Sequence, residues 1–543
     1  MFVRPASGLV REISTTKALF FNWGAATGGG LLLGLVHPGL FGGAPILGLA
    51  PYNFGEVVGG LLCIPVAFQY VILLMAMPRS GGDYVFTSRI VHPFLGWIET
   101  WTLLWANLVT FGWEIFVIQR GFRAIFTVQG FIFPGSGWTI AADALRTPLI
   151  QLAFGVGLCI LVAAIVSLRS RTFYTLVSVL CSVAIVGGVG GLLEVLTMDP
   201  SVFSGNLNRY LGQTSDGVIS LALKNGMSTA PITFLALLPI INVAFWALLG
   251  FQFTGYLGGE LKGNLKRNTL FSMLGVLAIN TIFCQIMYPL AGFWKLGYTF
   301  VTAWGYLFYN TNASPSGVLP TVMVFALLGR PDLWVLWVVL TAFVLALTFC
   351  LLITYLVMLS RVILAWSMDR VVPEWFSKVD NRTHQPTRAY ILMLILALIF
   401  YSGTAVVPTF SPTGLIWYSS LLCMFAWIMP GFDVLLLPYR RKDLYESVPW
   451  RRKIGSVPIV SLLGLLWLII IIPVYVTSTF APLLSSVVAL TPTGGFWAYA
   501  TKSGLDLVSY IVLAGIILYL ISFWNNKRQG IDVSLIFKSV PPE

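Results

Sequence analysis

The sequence predicts an all-α protein that crosses a membrane repeatedly, and three observations support this prediction. Mean hydropathy is +0.87, and only 10% of the 543 residues are charged, whereas soluble domains have about 25% charged residues. Twelve apolar stretches are long enough to cross the bilayer core, which is roughly 30 Å thick. Glycine-rich sequence interrupts two of these stretches. This composition leaves too little polar surface for a soluble fold, so it excludes soluble enzymes and disordered chains.

The twelve predicted spans cover residues 17–40, 53–76, 94–119, 148–168, 173–196, 231–259, 270–293, 333–360, 389–407, 415–437, 458–477 and 507–524. Alternate loops differ in charge, since 24 of the 32 Lys and Arg residues lie in the set that includes both termini. Because basic loops stay in the cytoplasm, we expect a multi-pass plasma membrane protein with both termini cytoplasmic. This placement explains the net charge of +12 without nucleic acid as a partner.

Three consecutive glycines, Gly28, Gly29 and Gly30, lie near the middle of the first span. Each costs a helix about 1 kcal/mol relative to alanine, and unwound backbone at membrane depth is tolerated where it faces protein or a water-filled cavity. An intramembrane binding site is one interpretation. Close helix packing is the other, because Gly24 and Gly28 form a GxxxG pair.

The sixth span shares this feature, with Gly250 and Gly255 in mid-membrane among aromatic residues. Spans one and six are five apart and run in opposite directions. Glycine-interrupted helices at matching positions of two halves indicate an inverted-repeat transporter with its site at the bilayer midplane. The sequence therefore predicts 12 transmembrane helices, built as a five-plus-five inverted repeat with discontinuous helices 1 and 6, plus two additional C-terminal helices.

This organisation divides the chain into six parts. They are a cytoplasmic N-terminal tail (1–16), a first repeat of helices 1–5 (17–196), an extracellular loop (197–230), a second repeat of helices 6–10 (231–437), helices 11–12 with their connecting loops (438–524) and a cytoplasmic C-terminal tail (525–543). The expected external loop at 294–332 contains a glycosylation sequon at Asn312.

Reactive side chains are sparse in this sequence. The six cysteines fall inside apolar stretches without CxxC spacing, so we expect small buried hydrophobes, and the three histidines are too dispersed for a metal site. Acids inside a membrane are usually functional or paired, and Glu114 is the acid placed deepest. It could titrate in proton coupling, although an ion pair with Arg120 or Arg123 is the favoured interpretation. Four other acids are expected near the interfaces, where water solvates them: Glu56, Glu99, Glu194 and Asp433.

Three motifs together resemble the amino acid permeases of the amino acid-polyamine-organocation (APC) superfamily. The first is MPRSGGDYVFTSRIVHPFLGW (77–97), the second GFQFTGYLGGELKGNLKR (250–267) and the third SRVILAWSMDRVVPEWFSKVDNRTHQPTRA (360–389). They occur in the order of the family and on the expected cytoplasmic side. The resemblance covers spans one to ten and implies secondary transport.

The sequence departs from the family pattern at several positions. Gly28-Gly29-Gly30 stands where relatives often have Gly-Ser-Gly, and Gln252 stands where many have Glu. Gly263-Asn264 replaces an Asn-Pro pair. The fifth span, 173–196, lacks the lysine that some proton-coupled relatives use.

An amino acid zwitterion needs partners for two charges, because hydrocarbon would cost several kcal/mol for each unmet group. Backbone amides around Gly28 to Leu31 can bind the carboxylate, since a helix N-terminus is positive. Carbonyls near Trp246 to Leu249 can accept from the ammonium. The remaining pocket is expected to be apolar. The predicted binding residues are Thr27, Gly28, Gly29, Gly30, Phe245, Trp246, Ala247, Leu249, Gly250 and Phe251.

The resemblance implies that Trp246 could be a movable cover, although aromatic residues also fill membrane-protein cores. Thr348 could join first-span carbonyls such as that of Ala25 to hold sodium, or bond its own helix backbone, which is the favoured interpretation. Glu114 is the proton candidate, so the coupling ion, sodium or proton, stays open, and no cofactor is expected.

The leading prediction is a secondary amino acid transporter with a small-molecule substrate. The alternative is a polyamine or other organic-cation transporter or exchanger of the same fold. A membrane-embedded enzyme would need HExxH, GxSxG or paired aspartates, and an ATP-driven pump would need GxxxxGK[ST]; the sequence has none of these. A channel is predicted to conduct without saturation or counterflow.

Overall fold

The computed structural model describes residues 8–26, 34–311, 313–318, 320–406, 412–488, 496–531, 536–538 and 540. Helices form nearly all regular structure there. The described strands make one short hairpin of β1 (Lys453–Ile454) and β2 (Val457–Pro458). The all-α class is therefore confirmed.

Long apolar helices alternate with short helices in the loops. In the first part of the chain they are α1 (Thr15–Ala26), α2 (Pro51–Ala76), α3 (Asp83–Ile90), α4 (Pro93–Ile132), α5 (Trp138–Ala144), α6 (Pro148–Val166), α7 (Ser170–Thr197), α8 (Pro200–Leu211), α9 (Ser215–Lys224) and α10 (Phe234–Leu248). Several begin where the sequence supplies a start signal. Pro51 and Pro93 occupy first-turn positions, where the missing amide costs nothing, and the Thr233 hydroxyl caps α10.

The second part continues the same pattern. Its helices are α11 (Leu265–Ile279), a π-helical segment (Asn280–Met287), α12 (Tyr288–Leu296), α13 (Tyr298–Asn310), α14 (Val322–Gly329), α15 (Trp334–Met368), α16 (Thr387–Val406), α17 (Pro412–Leu422), α18 (Met424–Arg440), α19 (Lys442–Tyr445), α20 (Ile459–Val488) and α21 (Phe496–Arg528). Short 3-10 turns connect several of them, including His37–Gly39 and Phe253–Tyr256.

Within the described residues, nine helical segments are long and apolar enough to cross a membrane. Two shorter apolar helices, Phe234–Leu248 and Thr387–Ser402, coincide with predicted spans six and nine. The chain is therefore a multi-pass helical membrane protein. The exact count of twelve spans and the inverted repeat remain predictions.

The helix bounds differ from one predicted span. The third span, expected over 94–119, is a helix that ends at Ile132, because apolar sequence continues past Arg120 and Arg123. The loops predicted at 197–230 and 294–332 lie between longer helices; the first contains α8 and α9, and the second contains α13 and α14. Within predicted span 17–40, the structure describes α1 as far as Ala26 and turns at residues 34–39.

Burial distinguishes the helices at the centre from those at the periphery. Most of α4 is buried, whereas the part of α21 from Leu507 to Arg528 exposes many large apolar side chains, as expected for contact with lipid. The short α1 packs against α7, α11 and α15. This packing places the described part of α1 inside the molecule.

Three of the four acids expected near water are buried instead. Glu56, Glu99 and Asp433 have exposed fractions of 1%, 0% and 0%, and Glu194 is half-buried. The prediction was wrong because an acid near the end of a predicted span was assumed to be in contact with water. Each of the three side chains faces neighbouring helices, and that orientation depends on tertiary packing.

Candidate functional site

The regular hydrogen bonding of α10 ends at Leu248, inside the protein. The Leu249 amide bonds to the carbonyl oxygen of Trp246 (3.1 Å), and the Phe251 amide bonds to that of Leu248 (3.2 Å). The Gly250 amide donates to the Gln252 side chain (3.2 Å). Within the described hydrogen bonds, the carbonyl groups of Phe245 and Ala247 therefore lose their usual partners four residues on. Buried carbonyl oxygens at a helix end can accept from a ligand.

Gly250 brings this segment against the end of α1. Its φ is +114°, a conformation that L side chains rarely adopt. A Cβ at this position would lie 2.6 Å from the carbonyl carbon of Ala25 and 2.8 Å from the amide nitrogen of Ala26. Only glycine permits the two backbones to approach so closely.

Asn22 of α1 fixes the chain that follows Gly250. Its side-chain amide donates to the Thr254 hydroxyl at 3.0 Å and accepts from the Thr254 amide at 2.9 Å. The Thr254 hydroxyl also lies 3.3 Å from that of Ser272 on α11. All three side chains are buried. The segment after α10 is therefore held by neutral hydrogen bonds.

Trp246 connects the end of α10 to two other helices. Its indole nitrogen donates to Thr110 Oγ1 of α4 at 3.0 Å, and that hydroxyl lies 2.9 Å from Ser419 Oγ of α17. The ring packs edge-on against Trp113, with 6.4 Å between the ring centroids. Trp246 is thus anchored through its polar tip, and movement of the ring would have to break that hydrogen bond.

The other predicted pocket residues occupy different surroundings. Phe245 packs against Trp427 and Trp467, with centroid distances of 5.0 and 5.8 Å, and Phe251 stacks on Trp427. Leu249 is fully buried, and Ala247 is half-buried. Phe245 and Phe251 therefore belong to an aromatic cluster with α18 and α20.

Part of the predicted site lies outside the described residues. This applies to Thr27, Gly28, Gly29, Gly30 and the sequon residue Asn312. Ala25 is described and fully buried near the end of α1. Thr348 is buried on α15, two positions before Cys350. At that level α1 approaches α15, since a Cβ on Gly24 would lie 3.1 Å from the Cys350 Cβ.

The ion pair expected for Glu114 is absent among the described residues. Glu114 is 3% exposed, and its Oε2 has no hydrogen-bond partner. Arg123 Nη2 donates to the carbonyl of Gly317 at 3.4 Å, and Arg120 lies 4.8 Å from the ring centroid of Phe116. Glu114 therefore stays a candidate for proton binding.

The three sequence motifs meet in one buried group, the motif cluster, defined by Asp83, Arg89, Glu260, Arg361 and Asp369. Arg361 forms a two-fold interaction with Glu260, from Nε to Oε1 at 2.8 Å and from Nη2 to Oε2 at 2.9 Å. Arg89 pairs with Asp369 at 2.6 Å. Both pairs are at most 1% exposed.

Neutral donors and acceptors complete the motif cluster. Arg361 also contacts the Tyr390 hydroxyl (2.6 Å) and the Gln385 side chain (3.1 Å). Asp83 accepts from Tyr70 at 2.9 Å and from Tyr256. The three motifs were recognisable in the sequence, but these pairings were not predicted. Opposite charges repeated across all three motifs were the signal that could have indicated them.

The described chain contains no group of three or more His, Cys, Asp or Glu side chains that could hold a metal ion. All six cysteines are buried with free thiols, which confirms the prediction that they are buried. A cavity of about 420 Å³ opens beside Arg123, Asp143 and Arg146. Its lining includes no residue of α1 or α10, so it is separate from the helix end at Leu248.

These features define a class: a multi-pass helical membrane protein whose buried centre contains an interrupted backbone segment and a separate cluster of paired charges. The sequence model of the amino acid permease family matches residues 13–504. The chain therefore belongs to the amino acid permease family and is a membrane transporter of the APC type. This family assignment points to transport of a small molecule rather than to an enzyme.

Proposed function

We propose that this chain is a secondary transporter that carries amino acids across the plasma membrane by alternating access. The observation that carries the proposal is the end of α10 at Leu248 beside Ala25 and Ala26 of α1. There a helix terminus, close backbone contact and carbonyl groups without their usual partners four residues on coincide. Backbone at such a position can bind a small zwitterion without a charged side chain.

The substrate ammonium is proposed to bind at the carbonyl oxygens of Phe245 and Ala247. The negative end of the α10 dipole favours a cation at this terminus. Its carboxylate is proposed to bind backbone amides around Gly28 to Gly30, where a helix N-terminus would supply positive dipole. Neither charge then requires an ionised side chain, which fits the neutral surroundings formed by Asn22, Gln252 and Thr254.

Apolar side chains are proposed to favour apolar amino acids. Trp246 and Ala247 are the pocket candidates that are not fully enclosed by the aromatic cluster. The wall of the pocket behind Trp246 and Ala247 would be formed by Phe245, Leu249 and Phe251. A polyamine is less well suited, because a dication would require acids in contact with it and none of the pocket candidates is an acid.

Alternating access is proposed to move α1 and the end of α10 relative to two other helices. These are α4, which carries Thr110, and α15, which carries Arg361. The motif cluster links the segment after α10 to α15, so its ion pair would close the cytoplasmic side. The five-plus-five repeat and the cytoplasmic termini belong to this proposal. For the coupling ion, Ala25 and Thr348 are sodium candidates and Glu114 is a proton candidate.

Counterflow in proteoliposomes tests this proposal. Vesicles loaded with one unlabelled solute are diluted into tracer, and a panel of apolar, polar, acidic and basic amino acids and one polyamine is compared. We expect saturable counterflow with apolar amino acids and competition among them. Stable, correctly inserted protein that exchanges the polyamine alone, or none of the amino acids, contradicts the proposal. Protein-free vesicles are the control.

A further inference from the structure

A second buried carboxyl group lies away from the α10 terminus, on α2. Glu56 is 1% exposed, and its Oε1 accepts from the side-chain amide of Asn280 at 2.8 Å. Its Oε2 has no hydrogen-bond partner. An isolated carboxylate in a low-dielectric interior is costly unless it is paired or neutralised. The described residues place no basic side chain in an ion pair with Glu56.

The partner residue Asn280 begins the π-helical segment Asn280–Met287. π-helical turns are rare and occur frequently at functional sites, because the wider turn changes which side chains and backbone groups face a neighbour. The same segment contributes Gln285, whose Oε1 accepts from Asn53 at 2.8 Å. Asn53 and Glu56 are three positions apart, on one face of α2. The neutral groups around Glu56 thus come from two helices.

Two further oxygen atoms lie near Glu56 on the first turns of α2. The Tyr52 hydroxyl interacts with the Glu56 carboxyl group, and Oδ1 of Asn53 has no hydrogen-bond partner. Asn53 Oδ1 can only accept, so it requires a donor. A neutral Glu56 carries an O–H donor, whereas a carboxylate carries none.

A line of polar aromatic side chains connects this acid with Glu114. Tyr52 is 5.0 Å from His37 between ring centroids, and His37 is 6.3 Å from Tyr309. Tyr309 interacts electrostatically with Glu114. Glu114 follows Trp113, whose ring packs against Trp246. The line therefore ends beside the proposed substrate site.

Other titratable groups surround Glu56 on the packed elements. They are Tyr52 on α2 itself, Cys284 in the π-helical segment, and His37 and Tyr309, which lie beside Tyr52. The neighbouring helix α10 carries none. Lys266 and Arg267 start α11, about 20 Å before Asn280 along its axis. Asp433, with its partner Thr87, lies beyond the other end of α2.

We propose that Glu56 binds the coupling proton of this transporter, with Asn53, Tyr52 and Asn280 positioning its carboxyl group. This inference rests on the proposed amino acid transport. The step is one protonation: a proton from one side of the membrane joins Oε2, and the neutral acid donates to Asn53 Oδ1. Release of the proton to the other side restores the carboxylate, so no other reactant is consumed.

A metal cation fits the same atoms less well. Hard cations require about six oxygen ligands, whereas Glu56 Oε2, Asn53 Oδ1 and the Tyr52 hydroxyl are three, and the hydroxyl already interacts with Glu56. The Asn280 amide nitrogen donates to Glu56 Oε1, and its positive hydrogen atoms would repel a cation bound there. A proton needs one oxygen atom to carry it and one acceptor for the resulting O–H group. Glu56 Oε2 and Asn53 Oδ1 can fill these two roles.

The transport test compares the unaltered protein, Glu56→Gln and the matched control Glu194→Gln on α7. Proteoliposomes receive an inward proton gradient or an inward sodium gradient, with the apolar amino acid that gives the greatest counterflow as tracer. One pH unit with one proton per substrate supports about tenfold accumulation. We expect this accumulation in the unaltered protein and in Glu194→Gln. Glu56→Gln should exchange tracer within about twofold of normal but should not accumulate it.

The outcomes separate the two proposals. Accumulation driven by sodium alone in the unaltered protein overturns the proton site, and so does proton-driven accumulation in Glu56→Gln. Absence of counterflow in the unaltered protein instead contradicts amino acid transport. Infrared difference spectra between acid and neutral pH give a readout without substrate. A carboxylic acid band that disappears in Glu56→Gln supports the assignment, whereas an unchanged band overturns it.

Discussion

The end of α10 and the motif cluster are both fully buried, yet they satisfy their polar groups in opposite ways. At the end of α10, neutral side chains such as Asn22, Gln252 and Thr254 bond to an interrupted backbone. In the motif cluster, Arg361 and Glu260 neutralise each other through two hydrogen bonds. The first region keeps backbone groups available for a ligand, whereas the second pairs each of its two arginines with a carboxylate.

This difference indicates different tasks. A buried ion pair is weak evidence for added stability, but removing one partner is costly because the other charge remains buried. Such a pair is suited to a contact between two structural elements that switches between a fully formed and a fully broken state. A neutral helix terminus suits a ligand that brings its own charges. Glu56 and Glu114 belong to neither type, because each is a buried acid without an ion pair in the described chain.

The largest expected effect is on the motif cluster. Arg361→Met should lower the free energy of unfolding by about 3–5 kcal/mol, because Glu260 is left as a buried charge without its partner. Thermal unfolding of the detergent-solubilised protein, followed by size-exclusion chromatography, measures this loss. The double variant Glu260→Gln/Arg361→Met is the control and should recover at least half of it. Equal stability of single and double variants would show that the pair is not the cause.

The next effect falls on the end of α10. Gly250→Ala should reduce counterflow by about tenfold to a hundredfold, since the methyl group meets α1 at 2.6 Å and relief of such overpacking costs about 1–3 kcal/mol. Gly48→Ala is the matched control, because Gly48 also has a positive φ (+83°) but has no atom within 4 Å of the added carbon. Equal losses in both variants would assign the effect to backbone strain rather than to contact with α1.

A smaller effect is expected at Trp246. Trp246→Phe keeps an aromatic ring but removes the hydrogen bond to Thr110, which is worth about 0.5–1.5 kcal/mol. Counterflow should change by about threefold to tenfold. Thr110→Val removes the same bond from the other side. If the bond is what matters, the double variant should be no more impaired than either single variant; additive losses would contradict a shared interaction.

Much of the fold could be predicted because lipid imposes a simple requirement. Every long apolar stretch must form a helix to satisfy its backbone, and the predicted stretches at 53–76 and 148–168 agree closely with α2 and α6. The end of α4 was missed because Arg120 and Arg123 were taken as its boundary. Long basic side chains can extend their charged groups toward water while the helix continues.

The site was less predictable from sequence. Gly250 was identified correctly as a residue of special conformation, because glycine in a helical stretch carries a local signal. The burial of Glu56 and the pairing of Glu260 with Arg361 depend on contacts between residues 224 and 101 positions apart. No local pattern encodes such contacts. The π-helical turn at Asn280 likewise follows from packing against α2, and sequence periodicity gives no indication of it.

The smallest effect is expected at an exposed ion pair, which serves as a reference for the buried pair of Arg361 and Glu260. Arg441 and Asp443 form the same two-fold arrangement, with distances of 3.0 and 2.8 Å, but Asp443 is 62% exposed. The Arg441 hydrogen bonds lower the pKa of Asp443, so this pair stabilises the fold above the ordinary pKa of an aspartate and ceases to do so as pH falls through the lowered value. Arg441→Gln should therefore cost less than about 0.5 kcal/mol at neutral pH, because water screens the pair, and nothing in acid. Thermal stability of this variant at both pH values measures the difference. A loss as large as that of Arg361→Met would show that geometry, rather than burial, sets the cost of breaking such a pair.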